Sequence, residues 1–221
     1  LVEAFENLPR RKPGDDPDLF RAWAGEAVIE FRSVVSERYS EGTLCRILAS
    51  HINPTARRAA AVALGLLGTM TSNAVVAQAL IDPDPDVRIA CMDALWDIWF
   101  RGDGSEQGNE LRQAIELPDP ESRLAACDDL IREYPDFAEA YNQRAIVHFN
   151  RGAYTAAIAD CEATLRLNPY HFGAAAGMGQ CYLRMNKPHA AVRSFSHALD
   201  LNPELSSLKD VLETLRGSLG E

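Results

Sequence analysis

Leu165-Arg166-Leu167-Asn168-Pro169 and Leu199-Asp200-Leu201-Asn202-Pro203 are near-copies of one word, set 34 residues apart. Pro135 stands a further 34 residues upstream of Pro169, so three prolines share one beat. Internal periods of this length are the mark of repeat architectures, in which each short unit buries its apolar face only against its neighbours. Proline cannot continue a helix, so each one closes the helix before it.

Between the prolines, small and large apolar residues recur at fixed places. The unit from Ala138 carries Tyr141, Arg144-Ala145, His148, Ala157, Cys161 and Pro169. The unit from Phe172 carries Ala175, Met178-Gly179, Tyr182, Ala191, Phe195, Ala198 and Pro203. Small residues (Ala145, Gly179, Ala157, Ala191) let paired helices approach, and large ones fill the gaps. This pattern resembles the tetratricopeptide repeat: an aromatic, then Leu-Gly, Tyr, Ala-x3-Phe and Pro. The second unit departs only at Ala175. The first departs at Arg144, His148 and Cys161. Pro120 to Tyr134 reads as a helix of a degenerate half-unit, with a short partner near Glu106 to Ile115. Glu204 to Leu219 reads as an amphipathic capping helix.

The N-terminal half keeps a different period. Asn53-Pro54-Thr55-Ala56-Arg57 aligns with Asp84-Pro85-Asp86-Val87-Arg88 at an offset of 31, and Ala63-Leu64 with Ala94-Leu95. An Asn or Asp followed by Pro is a helix start: the side chain caps free N–H groups and proline suits the first turn. The pattern resembles HEAT-like repeats, with units at about 41–68 and 72–100. Asp16 to Tyr39 reads as a capping helix with Leu19, Trp23, Val28, Phe31 and Val35 inward. Residues 1–15 read as polar and poorly ordered. The expected organisation is all-α, a right-handed α-α superhelix. Its expected domains are 1–103, a cap with two HEAT-like repeats, and 104–221, the tetratricopeptide-like part. Arg101-Gly102-Asp103-Gly104 breaks helix between them; its Arg-Gly-Asp is a three-residue chance match to an adhesion motif. No segment alternates as a strand would.

Composition narrows the function. With 32 acidic and 22 basic residues the net charge is −10 over 221 residues. The deficit is even: 12 basic and 17 acidic groups in 1–115, 10 and 15 in 116–221. Such a field repels phosphate backbones and anionic membrane surfaces, so neither nucleic acid nor membrane is expected as a partner. The longest apolar run, Ala59 to Met70, is too short to span a bilayer. The five cysteines lie 20 or more residues apart without a Cys-x-x-Cys pair, as buried core residues in a reducing compartment would. A cytoplasmic location is expected. Arg10-Arg11 matches a twin-arginine pair, but no apolar stretch follows. The start at Leu1 reads as a fragment or a trimmed chain.

Chemistry-bearing motifs are wanting. There is no phosphate loop, no His-Glu-x-x-His and no Gly-x-Ser-x-Gly. His189 and His197 could share a helical face but lack a third ligand. Asp82, Asp84 and Asp86 lack the glycine and terminal glutamate of a calcium loop and read as helix caps. No metal, cofactor or catalysis is expected. Trp96, Trp99 and Phe100 read as core.

The tetratricopeptide resemblance implies a peptide-binding groove on the first helix of each unit. Carried over, its positions are Glu139, Asn142, Ile146, Phe149 and Asn150, then Gly173, Ala176, Gln180, Leu183 and Arg184. A chaperone-tail clamp needs lysine and asparagine where this chain has Asn142 and Ile146, so that ligand is not expected. Arg144 occupies a position that is apolar in the family. A buried guanidinium needs a carboxylate, and Asp160 on the second helix is the expected partner. These readings converge on a non-enzymatic scaffold or adaptor binding a protein or peptide, whose identity the sequence leaves open along with the oligomeric state. The alternatives are a bilin-lyase-like enzyme, a family that also uses short HEAT-like repeats, and a nucleic-acid-binding solenoid, which would need a basic stripe.

Overall fold

A computed structural model describes residues 1–9 and 17–220, the side chains of 17–23 and 105 excepted. The described residues are helices and short turns without strands. They fall into two compact units, Leu1–Ile98 and Trp99–Glu221.

The first unit begins with α1 (Val2–Glu6), so the disorder expected of residues 1–15 does not extend to its first turn of helix. Phe5 anchors it, 7% exposed. Helix α2 (Pro17–Arg38) follows, with Phe31 and Val35 buried as expected. The side chains of Leu19 and Trp23, and the Arg10-Arg11 pair, lie outside what is described. Helices α3 (Glu41–Ser50) and α4 (Pro54–Leu67) form one pair. Ala59, Ala60, Ala61, Ala63 and Leu64 of α4 are all fully buried, which is why an apolar run of that length suits a core helix. Helix α5 (Asn73–Gln78), flanked by short 3-10 turns, precedes α6 (Pro85–Arg101).

The second helices of these pairs begin alike. Asn53 Oδ1 accepts the Thr55 N–H at 2.8 Å, and Asp84 Oδ1 accepts those of Asp86 and Val87 at 3.0 and 3.2 Å. Capping of this kind contributes about 1 kcal/mol. Four residues on, the arginine reaches back to its own loop. Arg57 Nη1 donates to the His51 carbonyl at 2.9 Å, and Arg88 Nη1 to that of Asp82 at 2.8 Å. Arg57 also grips Asp82 with two bonds of 2.7 Å, which ties one repeat to the next.

In the second unit α7 (Ser105–Glu116) and α8 (Pro120–Glu133) form a pair. Helix α7, with 12 residues, lies where the partner near Glu106 to Ile115 is expected, and packs Leu111 and Ala114 against Leu130 and Phe137. The start of α8 repeats the α4 and α6 device. Asp119-Pro120-Glu121-Ser122-Arg123 caps with Asp119 Oδ1 on the Ser122 N–H at 2.7 Å, and Arg123 Nε donates to the Leu117 carbonyl at 2.6 Å.

Helices α9 (Ala138–Asn150) and α10 (Tyr154–Leu167), then α11 (Phe172–Arg184) and α12 (Pro188–Leu201), are the two 34-residue pairs. The Leu-Asn-Pro word ends the second helix of each. Asn168 Oδ1 accepts the Tyr170 N–H at 3.2 Å and Asn202 Oδ1 the Glu204 N–H at 3.0 Å. Each asparagine thus makes a turn through its side chain, and the following proline holds it extended. Helix α13 (Ser206–Leu219) covers the last pair with Leu208 and Leu212.

Candidate functional site

Eight of the ten expected groove positions lie at least partly at the surface of α9 and α11. Ile146 is 46% exposed, the most open large apolar side chain of the second unit among the described residues. Asn150, Gln180 and Arg184 are exposed, and Phe149 and Leu183 are half-buried. Helical spacing sets them on two facing ridges, 146–150 and 180–184. The ridges meet where the Arg184 guanidinium lies 5.7 Å from the Phe149 ring centre. Tyr154 closes on the same ring edge-on at 5.5 Å. Gly173 and Ala176 are half-buried and add little side chain. Beside Ile146 a small hollow of about 70 Å³ opens between Ile115, Pro120, Cys127 and Gln143.

Glu139 and Asn142 are not at the surface: they are 0% and 5% exposed. They form a buried polar knot instead. Glu139 Oε1 accepts from Asn142 Nδ2 at 3.0 Å and Gln143 Nε2 at 2.6 Å, and Oε2 meets His171 Nε2 at 2.8 Å. His171 Nδ1 accepts the Ala174 N–H at 2.9 Å, so the imidazole caps α11. With Nδ1 accepting, the ring proton sits on Nε2 and is donated to Glu139. Trp99 stacks on the ring at 4.2 Å between centroids and is itself 2% exposed. A carboxylate so deep is tolerated because its lone pairs are filled. The knot holds the start of α9 against the start of α11 and sets the pitch of the two ridges. Glu139 and His171 are 32 residues apart and the 34-residue pattern assigns neither a partner, so only the three-dimensional structure joins them.

Arg144 and Asp160 come together. Nε donates to Oδ2 at 2.9 Å and Nη2 to Oδ1 at 2.6 Å, a two-pronged pair. Asp128 of α8 takes Nη1 at 2.6 Å, so the guanidinium bridges three helices. The bonds from Asp160 first, then Asp128, raise the Arg144 pKa further above an already high value. The Tyr141 ring covers its other side at 5.6 Å.

The cysteines offer no ready nucleophile. Burial pushes the Cys91 and Cys161 thiols up to about 12 and that of Cys127 to about 11. No group of three metal-ligating side chains converges among the described residues. No described helix is long and apolar enough to cross a membrane.

The geometry is that of a helical-repeat protein presenting a small mixed face. The comparisons make the class specific. Residues 41–131 match the HEAT repeat model, and residues 120–172 and 174–205 match tetratricopeptide repeat models. The chain carries HEAT repeats followed by tetratricopeptide repeats, and the two kinds overlap in residues 120–131 of α8. That overlap falls on the helix that opens with the HEAT-type cap and arginine. A TPR repeat-containing protein of Rhizobium etli is 31% identical over 124 residues, 54% of this chain and 60% of that protein. The meiotically up-regulated gene 93 protein of Schizosaccharomyces pombe is 32% identical over 76 residues, 34% of this chain and 20% of that protein. The chain thus spans less than two thirds of either relative's length. Among solved structures, the first TPR domain of Spaghetti (RPAP3), bound to an HSP90 peptide, aligns with a TM-score of 0.48 and 15% identity. The alignment covers 53% of this chain and 93% of that one.

Proposed function

We propose that this chain is a non-enzymatic protein-interaction adaptor that binds a peptide or a partner helix along the α9–α11 face. One observation carries the reading: Ile146 stands open on a ridge beside half-buried Phe149 and Leu183, with Asn150, Gln180 and Arg184 around them. An apolar strip rimmed by polar groups is what a helix or extended peptide docks against. The buried knot of Glu139 and His171 supports it by fixing the two helices, so little order has to be gained on binding. The binding determinants are then Ile146, Phe149, Asn150, Gln180, Leu183 and Arg184, while Glu139 and Asn142 act from behind as positioning residues.

A chaperone-type carboxylate tail is a poor ligand for this face. Asn142 is buried and bonded to Glu139, and Ile146 offers no hydrogen bond where the clamp needs one. The partner is selected by shape and apolar contact. With two short ridges the affinity is on the order of micromolar. The experiment is capture of partners by the intact chain, followed by calorimetric titration of a retained partner into wild type and into the Phe149→Ala, Leu183→Ala double variant. A loss of about tenfold or more supports the face. Unchanged affinity in a variant that keeps its helicity removes it.

A further inference from the structure

The hollow beside Ile146 lies where the start of α8 meets α9, and its lining is of two kinds. Ile115, Cys127, Ile146 and Val147 give it apolar walls around about 70 Å³. That is room for the end of one aliphatic side chain. Ile146 itself stands 46% exposed at its edge. Arg123, Gln143 and Asn150 supply the polar part of the lining. No carboxylate lines it among the described residues.

Two observations point to what it lacks. Arg123 is half-buried, and its Nε donates to the Leu117 carbonyl at 2.6 Å, which fixes the plane of the guanidinium. Its Nη groups meet no acceptor and no carboxylate among the described residues. The arginines of α9 and its C-cap are placed otherwise. Arg144 is held by Asp128 and Asp160, and Arg151 meets Glu121 at 3.1 Å. Arg184, over the Phe149 ring, resembles Arg123 in having no carboxylate among the described residues. The cations left open are therefore those that border the Ile146 ridge. The second observation concerns Gln143. Its Nε2 donates to Glu139 at 2.6 Å, so the buried knot orients the amide, and its Oε1 is left without a donor among the described residues. A fixed guanidinium edge and an open carbonyl thus flank an apolar hollow.

We propose that this hollow seats a branched aliphatic side chain of the protein partner, with an aspartate or glutamate side chain beside it on Arg123. This deepens the reading of the α9–α11 face and rests on it, since Ile146 belongs to both. Guanidinium and carboxylate match as planar forks, so the pair selects the partner while the aliphatic group supplies the contact area. The partner chain runs on past its anchor, and Gln143 Oε1 accepts one of its backbone N–H groups. The whole chain carries a net charge of −10, so one carboxylate is matched locally and a run of them is repelled.

The probe is a library of random short peptides, displayed without a free C-terminus and selected on the full chain. Expected is enrichment of leucine, isoleucine or valine with an aspartate or glutamate within about four residues of it. Selection on Arg123→Glu should invert the acidic preference to lysine or arginine and keep the aliphatic one. An enriched peptide, amidated and fluorescein-labelled, should lose about tenfold or more in affinity by anisotropy in Arg123→Glu, and severalfold in Ile146→Ala. Circular dichroism and the thermal midpoint verify that the variants fold. Where Arg123→Glu does not, Ile146→Glu brings the same charge to the hollow from an exposed position and should abolish the acidic preference. No enrichment, enrichment without an acidic residue, or an acidic preference unchanged by these substitutions overturns the proposal. Peptides weakened by the Phe149→Ala, Leu183→Ala double variant but not by Arg123→Glu overturn it and leave the α9–α11 face standing. Peptides weakened by neither remove both.

Discussion

The α9–α10 pair and the α11–α12 pair share one repeat pattern but close their cores by opposite means. Where the first has Arg144 and Asp160, the second, 34 residues on, has Met178 and Ser194. Where the first has Ala145 facing a cysteine, Cys161, the second has Gly179 against Phe195. A Cβ on Gly179 would collide with the Phe195 ring, so the glycine is the notch into which that ring fits. The first pair is thin in its core and adds a bridging guanidinium; the second is filled by one aromatic. A repeat pattern prescribes the volume between two helices and leaves open which chemistry fills it.

The largest effect should follow removal of the aromatic. Phe195, fully buried, leaves a cavity on truncation, and Phe195→Ala should cost about 3–5 kcal/mol in urea unfolding. A transition unmoved from wild type would show that α12 is not held as described. Next comes the guanidinium. Arg144→Met removes both guanidinium bonds from Asp160, whose side chain is 8% exposed, and leaves it only His148 Nε2 at 3.7 Å. Arg144 itself is 21% exposed, so solvent moderates the loss to about 2 kcal/mol. The double change Arg144→Met, Asp160→Ser copies the second pair and should recover most of it; a double-mutant cycle without coupling would dissolve the contrast. Filling the notch is milder. Gly179→Ala forces the Phe195 ring aside at about 1–3 kcal/mol, a thermal shift readable by calorimetry.

The HEAT pairs use a third solution, the arginine on its own loop and on the next carboxylate, and acid tests it. Burial pushes the Asp82 carboxyl up, but the Arg57 hydrogen bonds, the Asp84 N–H and the Arg57 and Arg88 charges outweigh that and hold it below the usual value. A depressed carboxylate stabilises above its unfolded pKa and loses that contribution as pH falls through its folded one. Lowering the pH from about 5 to about 3 should therefore lower the thermal midpoint. Arg57→Met should be less stable than wild type near neutrality, with the gap narrowing in acid. A gap that stays constant across the range would mean that Asp82 is not the group involved.

How much of this the sequence reveals depends on whether a feature repeats. The 34-residue word and the Asn/Asp-Pro-x-x-Arg openings recur because each is local backbone chemistry: a cap, a turn, a closed helix. The third such opening, at Asp119, lies 35 residues after Asp84 where the earlier step is 31, and that break in spacing hides the likeness of the α8 start to those of α4 and α6. Arg144 is legible because an apolar position holding a charge demands a carboxylate within reach. Glu139 is not. At a surface position of the pattern a glutamate raises no alarm, and its burial depends on His171 and Trp99 arriving from elsewhere in the chain. Consequently the exposed half of the candidate face follows from helical spacing, and its buried support does not.

The central claim is that a partner docks on the α9–α11 face. A photo-crosslinking residue placed at Ile146, with Ile52 as a control on an open loop, tests it most directly. Irradiation of the intact chain with a captured partner should yield adducts from position 146 and none from position 52. Adducts from 52 alone, or equally from both, would contradict it.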